Sequence, residues 1–245
     1  GLLNKFTSIE SSIMKSTYQM EMRYISMWWE DMGLSKDMKF ARYQPLKWYL
    51  WSTACLPDMR LSEERVDLTK SIALIYLIDD IFDVVGTLDE LSMFTHAIQR
   101  WEFDERLPMY MKTCFKALDT ITREFSSKVN RKYHWNPTNS LRKSWRDMCD
   151  AFLVEAKWFT SNITPKVEEY LKNAIVSSGV HVVLTHTFFS MGEGLTQNTV
   201  EYIDEHPDII SSTAKILRLW DDLGSARGRK SRWERWIIHI LLHDG

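Results

Sequence analysis

Residues 71–78 form a nearly unbroken apolar stretch, Ser-Ile-Ala-Leu-Ile-Tyr-Leu-Ile, that runs directly into acidic residues. The segment starts at Ser62-Glu63-Glu64, a typical beginning of a helix, and continues to about Val85 before Gly86. A helix that is apolar nearly all round is normally buried on most of its sides. The chain must therefore surround this helix with other structure, and this requirement limits the fold more than any other feature.

The surrounding structure is also predicted to be helical. Only 9 Gly and 6 Pro interrupt the 245 residues, about half the usual share. No stretch alternates with a period of two for long enough to predict a strand. Helical spacing covers residues 8–32, 37–56, 87 onward, 109–128, 138–161, 165–178, 180–194, 197–203 and 208–222. The fold class is therefore all-α, with helices packed around a central cavity or core.

Three aspartates end the buried helix. Asp79 and Asp83 are four residues apart and Asp80 and Asp83 are three apart, so all three side chains can reach one region. Carboxylates crowded in an apolar setting raise one another's pKa, and the helix dipole disfavours negative charge at a C-terminal end. A divalent cation reverses this cost, and Mg²⁺ prefers oxygen ligands from carboxylates and phosphate. The pattern indicates a metal site, with a solvated acidic turn as the alternative.

A second acidic cluster lies in residues 217–225. Asp221 and Ser225 are four residues apart, so a carboxylate and a hydroxyl share one face of a helix. Arg218 lies one turn before Asp221 and could bind a phosphate through two hydrogen bonds. The alternative is an ordinary surface ion pair, which contributes little to stability. We expect this helix to face the first cluster and to supply a second site.

Composition and spacing argue against several other classes of function. The net charge of −2 argues against broad nucleic-acid binding. No apolar run approaches the roughly 20 residues needed to span a bilayer. Cys55, Cys114 and Cys149 show no zinc spacing and are odd in number, so we interpret them as reduced thiols. His181 and His186 are five residues apart, off the register of a helical metal pair, and are interpreted as structural.

The motifs, taken in order, resemble the catalytic domain of plant class I terpene synthases. Residues 79–91, DDIFDVVGTLDEL, resemble the Asp-rich region of that family almost residue for residue. Other matching segments are Trp28-Trp29, Phe40-Ala41-Arg42, Trp48-Tyr49-Leu50-Trp51, Arg100-Trp101-Glu102 and Glu155-Ala156-Lys157-Trp158. Residues 44–49 and 220–226 are most similar to the linalool/nerolidol synthase subgroup, which makes acyclic terpene alcohols. The resemblance covers residues 1 to about 227.

The resemblance implies two sets of metal ligands. Asp79 and Asp83 match ligands of the first set, and Asp80 matches a residue that supports them. Asp221 and Ser225 match the first two ligands of the second set. The implied cofactor is Mg²⁺, with Mn²⁺ as a substitute.

The resemblance also implies residues that contact the substrate. Arg218 matches an arginine that binds diphosphate. Arg42 matches the first arginine of an Arg-x-Arg pair, whose second position is Gln44 here. Trp51 matches an aromatic wall residue that faces carbocations, with ordinary core packing as the alternative. Ser178-Gly179-Val180 matches a helix break whose main-chain carbonyl can face the substrate cation.

The resemblance fails after Arg227. The second metal motif needs a Glu four residues after Ser225, where this chain has Arg229, and a cation cannot ligate Mg²⁺. We hypothesise a one-nucleotide insertion after Arg227, because permitted codons read in the shifted frame restore a family-like continuation with that Glu. Residues 1–227 are thus predicted to be a partial catalytic domain, and residues 228–245 a divergent tail. Sequencing the transcript or the genomic locus tests this hypothesis.

The expected activity is metal-assisted ionisation of geranyl or farnesyl diphosphate, followed by water capture that gives an acyclic alcohol such as linalool or nerolidol. One alternative is a catalytically inactive, truncated remnant, because a chain without the complete second site and the lid should have little activity. The other is a prenyl-chain-elongating synthase, which would need a second Asp-rich motif that residues 221–225 do not supply.

The expected partner is a prenyl diphosphate, without nucleic acid or membrane, and a monomer is favoured. The chain begins at Gly1 without an initiator Met or a transit peptide, as a fragment would. The compartment is therefore left open between cytoplasm and plastid.

Overall fold

The computed structural model describes residues 2–226, with side chains described for residues 7–219. Within this range the chain forms helices and turns and no strand. The helices are α1 (Leu2–Asp31), α2 (Leu34–Asp37), α3 (Pro45–Cys55), α4 (Ser62–Asp80), α5 (Leu88–Arg100), α6 (Met109–Tyr133), α7 (Thr138–Thr160), α8 (Val167–Ser177), α9 (Val180–Met191), α10 (Gln197–Asp204) and α11 (Asp208–Ala226). A 3₁₀ turn (Met59–Leu61) precedes α4, and a π-helical turn (Ile81–Val85) follows it. The predicted all-α fold class is confirmed.

Helix α4 lies at the centre of the fold, packed against α1, α3, α6 and α9. Its apolar side chains are buried on nearly every face, among them Leu68, Ile72, Leu74 and Ile78. Complete burial of one such side chain stabilises a fold by about 1.5–3 kcal/mol, so α4 supplies a large part of the core. The predicted helix, buried on most of its sides, is confirmed.

A break between α8 and α9 brings the main chain close to α4. Gly179 has a φ of 74°, in the left-handed region that glycine tolerates best. A Cβ added there would lie 2.8 Å from Cγ2 of Ile75, which is one turn before Asp79. Only a residue without a side chain lets the break pack directly on α4. The break predicted at residues 178–180 is therefore confirmed.

The sequence predicts no apolar run long enough to span a bilayer. The stretch Val167–Met191 differs from this expectation, because by length and composition it could cross a membrane. It is not one continuous helix, however, since α8 and α9 are separated at Gly179. Within the protein, 61% of the apolar window is buried. Helix α9 packs on α4 and α7, and α8 packs on α7 and α11. We interpret the stretch as two core helices of the fold.

The helix predicted over residues 37–56 is wrong in its first part. Helix α2 ends at Asp37, and α3 begins only at Pro45. Proline at the first helical position starts a helix well, and it drives the preceding residue away from helical angles. Gln44 accordingly has a φ of −128° and a ψ of 58°. Residues 38–44 form a connection instead, and this connection carries Arg42.

Two helices are longer than their apolar pattern predicts. Helix α1 begins at Leu2 instead of residue 8, and α6 continues to Tyr133 instead of residue 128. The polar side chains on exposed helix faces give no periodic signal, so the pattern stops before the helix does. The remaining helices agree with their predicted bounds to within a few residues.

A buried ion pair joins α1 to α4. Nη2 and Nε of Arg65 donate to the two oxygens of Glu21 at 2.7 and 2.9 Å, and both side chains are fully buried. The Tyr49 hydroxyl on α3 donates to the same carboxylate. Arg65 also donates to the main-chain carbonyls of Leu56 and Asp58. Because both charges are paired and hydrogen-bonded, the cost of burying them is offset.

Replacing Arg65 by Met should lower the free energy of unfolding by about 3–5 kcal/mol, because Glu21 would keep a buried charge without its partner. Urea denaturation followed by far-ultraviolet circular dichroism measures this change. The matched control is Arg60→Met, which removes an exposed arginine paired with Asp58 and should have little effect. Equal losses in the two variants would contradict the role given to the buried pair.

Candidate functional site

The C-terminal end of α4 brings the three aspartates to one place. The Asp79 side chain is 32% exposed, whereas that of Asp80 is 3% exposed. Asp83 lies in the π-helical turn, which is closed by a hydrogen bond from the Gly86 N–H to the Ile81 carbonyl at 2.9 Å. Asp79 and Asp83 are four residues apart across this turn, so their side chains can be neighbours.

Arg42 binds two of the three aspartates. Its Nε donates to Oδ1 of Asp80 at 2.6 Å, and its main-chain N–H donates to Oδ2 of Asp80 at 2.8 Å. Its Nη2 donates to Oδ2 of Asp79 at 2.5 Å. Both oxygens of Asp80 thus accept hydrogen bonds from Arg42 and fix the connection of residues 38–44. Only one oxygen of Asp79 is bonded to Arg42. Asp79 and Asp83 are therefore better placed than Asp80 to bind a metal, and their role as ligands stays a prediction.

Glu155 on α7 faces this cluster, although the sequence pattern did not single it out as a site residue. Its side chain is buried, and its Oε1 accepts hydrogen bonds from Ser177 Oγ at 2.6 Å and from Asn173 Nδ2 at 3.2 Å. Desolvation raises the pKa of Glu155, and the negative charge of Asp79 adds to this effect. Glu155 therefore adds a carboxylate from α7 to the site, and hydrogen bonds from α8 hold its side chain in place.

Arg218 on α11 packs against Tyr170 of α8. Its Nε donates to the Tyr170 hydroxyl at 3.2 Å, and its guanidinium lies 5.9 Å from the centroid of the Tyr170 ring. Its charge acts to lower the pKa values of Asp79, Asp83 and Glu155. A positive charge that acts on all three carboxylates could help to hold an anion beside a bound cation.

The carboxylates of the site resist carrying charge together. Desolvation raises the pKa values of Asp79 and Glu155. Desolvation also raises the pKa of Asp83 to about 8, and repulsion by Asp79 and Glu155 adds to this effect. The Asp83 side chain reaches solvent at the mouth of the site, but the surrounding protein still weakens its hydration. A hard divalent cation would relieve the repulsion, so this oxygen donor set fits Mg²⁺.

A cavity of about 360 Å³ adjoins the acidic cluster. Asp83 and Glu155 line one side of it, and the remainder includes the apolar side chains Phe82, Leu88, Leu91, Phe152 and Phe159. Another cavity, of about 260 Å³, lies at the N-terminal end of α4. There Asp67 is already paired with Lys128 at 2.7 Å, so we place the functional site at the first cavity.

Trp51 and Gln44 belong to α3 and its start. Trp51 is 44% exposed, so ordinary core packing does not describe it in the part of the chain that the structure covers. Its proposed place in an aromatic wall stays a prediction. Gln44 directly precedes α3 and forms no side-chain cap there, so the structure assigns it no contact with the aspartates.

The second predicted metal motif lies at the end of the described chain. Helix α11 continues to Ala226, which places Asp221 and Ser225 one turn apart on the same helix as Arg218. The side chains of Asp221 and Ser225 lie outside the described residues, and so does everything from Arg227 on, including Arg229. Their roles and the frameshift hypothesis stay predictions.

The two histidines expected to be structural do not form a pair. His186 is buried, and its Nδ1 lies 2.8 Å from the Val182 carbonyl of its own helix. His181 Nε2 lies 2.8 Å from the Ile203 carbonyl. Each ring thus bonds a different main-chain carbonyl.

Comparisons with known proteins identify the family to which the chain belongs. Residues 30–242 match the model described as the terpene synthase family, metal binding domain. An (E)-nerolidol synthase of Cannabis sativa is 53% identical over 230 residues, which is 93% of this chain and 42% of that protein. The S-(+)-linalool synthase, chloroplastic, of Arabidopsis thaliana is 53% identical over 227 residues, which is 92% of this chain and 40% of that protein.

A solved structure with bound metal has the same fold. The isoprene synthase of grey poplar (Populus x canescens), in complex with three Mg²⁺ ions and dimethylallyl-S-thiolodiphosphate, is 34% identical with a TM-score of 0.83. The match covers 92% of this chain and 44% of that chain. Within residues 2–226, the fold is that of an all-helical metal-binding domain. The chain belongs to the terpene synthase family, and it spans about two fifths of the length of the curated relatives it matches.

The affinity for Mg²⁺ should increase as the pH rises from about 6 to about 8, because a proton on Asp83, with a pKa of about 8, competes with the metal. Isothermal titration calorimetry with Mg²⁺ alone measures this dependence. In the Asp83→Asn variant, binding should be weaker and most of the dependence should be lost. An affinity that is constant over this range in the unaltered chain would rule out the proposed competition.

The substitutions Asp79→Asn and Asp80→Asn should have different effects, although they are chemically identical. Asp79→Asn should weaken Mg²⁺ binding about tenfold or more, as the loss of a ligand does. Asp80→Asn should change the Mg²⁺ affinity much less and mainly lower stability, because its oxygens hold Arg42. Calorimetry and urea denaturation separate the two effects. Equal losses of Mg²⁺ affinity would show that Asp80 is itself a ligand.

Proposed function

We propose that this domain ionises geranyl or farnesyl diphosphate with Mg²⁺ and yields an acyclic terpene alcohol such as linalool or nerolidol. The observation that carries the proposal is the acidic end of α4, where Arg42 binds Asp79 and where Asp83 lines a cavity together with Glu155. The relatives named nerolidol synthase and linalool synthase, each 53% identical, support this product class.

In this proposal Asp79 and Asp83 hold the metal, and Arg218 and Arg42 bind diphosphate oxygens. Bound Mg²⁺ neutralises the diphosphate and makes it a better leaving group. The planar guanidinium groups can each donate two hydrogen bonds to one phosphate, which orients it. Asp80 keeps Arg42 at the rim of the cleft, so Arg42 can exchange its contact with Asp79 for a phosphate oxygen.

The apolar side of the cleft would protect the allylic cation. Phe82 and Phe152 line the cavity next to Asp83, and their rings pack with centroids 5.4 Å apart. Such a lining excludes bulk water until one molecule captures the cation. The exposed indole of Trp51 would stabilise the cation by a cation–π interaction.

The expected activity of the 245-residue chain alone differs from that of the same domain in a longer protein. The second metal motif has Arg229 where a Glu would complete it. We therefore expect the 245-residue chain alone to have little or no activity, which makes an inactive remnant the second candidate. Chain elongation is disfavoured, because residues 221–225 do not form a second Asp-rich motif.

A plastid location is supported by the relatives, since the linalool synthase of Arabidopsis thaliana is named chloroplastic. The cytoplasm is the alternative compartment. Expression of the complete coding sequence fused to a fluorescent protein distinguishes the two.

A chimera can separate the competence of the described site from the completeness of the chain. Residues 30–226 of this chain would replace the aligned segment of the Arabidopsis linalool synthase. We expect the chimera to convert geranyl or farnesyl diphosphate into a terpene alcohol with Mg²⁺, as detected by gas chromatography. The matched control is the same chimera with Asp83→Asn, which should form at least about tenfold less product.

Three outcomes would decide against parts of the proposal. A folded chimera that gives no product from either substrate would contradict the proposed ionisation. A longer prenyl diphosphate, formed when isopentenyl diphosphate is added, would favour chain elongation. Turnover by the 245-residue chain alone at the rate of the chimera would show that Arg229 and the tail do not limit activity.

A further inference from the structure

A second group of ligating side chains lies away from the aspartates, where α7, α9 and the connection between α10 and α11 meet. It consists of Asp147, His181 and His206, and one ligand atom from each lies within 4.8 Å of the others. His206 Nε2 is 3.0 Å from Asp147 Oδ2. The rings of His181 and His206 stack with centroids 3.7 Å apart. Two imidazoles and a carboxylate at this spacing are a typical ligand set for zinc.

His181 already has the tautomer of a metal ligand. It is 3% exposed, and its Nε2 lies 2.8 Å from the Ile203 carbonyl. A carbonyl only accepts, so Nε2 carries the proton and Nδ1 offers a lone pair. Nδ1 is buried, and no group in the described part of the chain bonds it. Metal-bound histidines usually donate their other N–H to a carbonyl or carboxylate in this way.

Asp204 provides a fourth oxygen near the group. Its Oδ2 accepts a hydrogen bond from Ser140 Oγ at 2.9 Å, whereas its Oδ1 is buried without a partner among the described residues. Asp204 lies two residues before His206 in the chain, which keeps it near the group. Buried polar atoms without partners are unfavourable, and a single cation would satisfy this oxygen and the nitrogen of His181.

We propose that Asp147, His181 and His206 bind a divalent transition metal of the zinc class. Asp204 supplies the fourth ligand. Imidazole nitrogen suits zinc, whereas Mg²⁺ requires oxygen ligands, so this site is chemically distinct from the acidic cluster on α4. Metal–ligand bonds of about 2.0–2.1 Å place tetrahedral ligand atoms about 3.3 Å apart. To reach this spacing from the present 4.8 Å, the His206 ring, which is 20% exposed, would rotate out of its stack.

Lys143 competes with the metal for this site. Its Nζ is 2.6 Å from Asp147 Oδ2 and supplies the positive charge when no metal is bound. Its side chain is 45% exposed, so it can turn into solvent when a cation replaces it. Removal of this ammonium group should therefore tighten metal binding.

A metal here would fasten the start of α11 to the core. His206 lies two residues before Asp208, where α11 begins, whereas Asp147 and His181 belong to α7 and α9. His206 has a φ of 54°, uncommon for a residue other than glycine, and this angle belongs to the turn that leads into α11. Helix α11 carries Arg218 to the acidic cluster, so the metal would stabilise that helix without taking part in the reaction.

Calorimetric titration of the 245-residue chain with Zn²⁺, in the presence of millimolar Mg²⁺, tests the proposal. Mg²⁺ occupies sites made only of oxygen and competes weakly for imidazole. We expect one Zn²⁺ per chain and a higher melting temperature. His181→Gln and His206→Asn should each weaken binding at least about tenfold, and Lys143→Met should tighten it. His96→Gln, which changes an exposed histidine outside the group, should leave it unchanged.

The absorption spectrum of bound Co²⁺ gives a second readout, because tetrahedral coordination with nitrogen ligands differs from octahedral coordination by oxygen. Circular dichroism identifies any variant that fails to fold. If His181→Gln does not fold, the test relies on His206→Asn, because the His206 ring is partly exposed and its replacement should disturb the core less. The proposal is overturned by an absence of Zn²⁺ binding, by binding that the folded variants leave unchanged, or by an octahedral, oxygen-only spectrum.

Discussion

Negative charge at the end of a buried helix is the constraint on which the rest of the structure depends. Helix α4 cannot turn Asp79, Asp80 and Asp83 away from one another, because its other faces are packed into the core. The charge must therefore be compensated where it lies. Arg42 does so by hydrogen bonds to Asp79 and Asp80, from a connection that is distant from them in sequence. The positive charge of Arg218 on α11 acts in the same direction. A binding site for cations and anions follows from this single arrangement.

The local part of this arrangement could be predicted from the sequence. The apolar run of residues 71–78 identifies the buried helix, and spacings of three and four residues place the aspartates together. Both signals are contained within two helical turns. The caps and breaks at Pro45, Gly179 and Thr87 are also local, although the start of α3 was placed too early because the helical pattern outweighed the proline.

The remaining parts of the site depend on contacts between distant segments, which periodicity does not reveal. Glu155 is the single charged residue in the stretch from Ala151 to Ala156, and this anomaly was the available signal. Its burial follows from the hydrogen bonds of Asn173 and Ser177 on another helix. For His181, helical spacing can reveal a second metal ligand only on the same helix. Its neighbours Asp147 and His206 come from elsewhere in the chain.

The close approach of Gly179 to Ile75 has a mechanical consequence. Repulsion between atoms in contact rises steeply on compression but falls gently on separation. The contact therefore acts as a one-sided stop: the break between α8 and α9 can recede from α4, but it cannot advance further. The least distance between this break and the aspartates is thus set by two residues outside the acidic cluster. The volume of the side chain at position 75 is then a way to vary the separation of the break from α4 without altering any charged group.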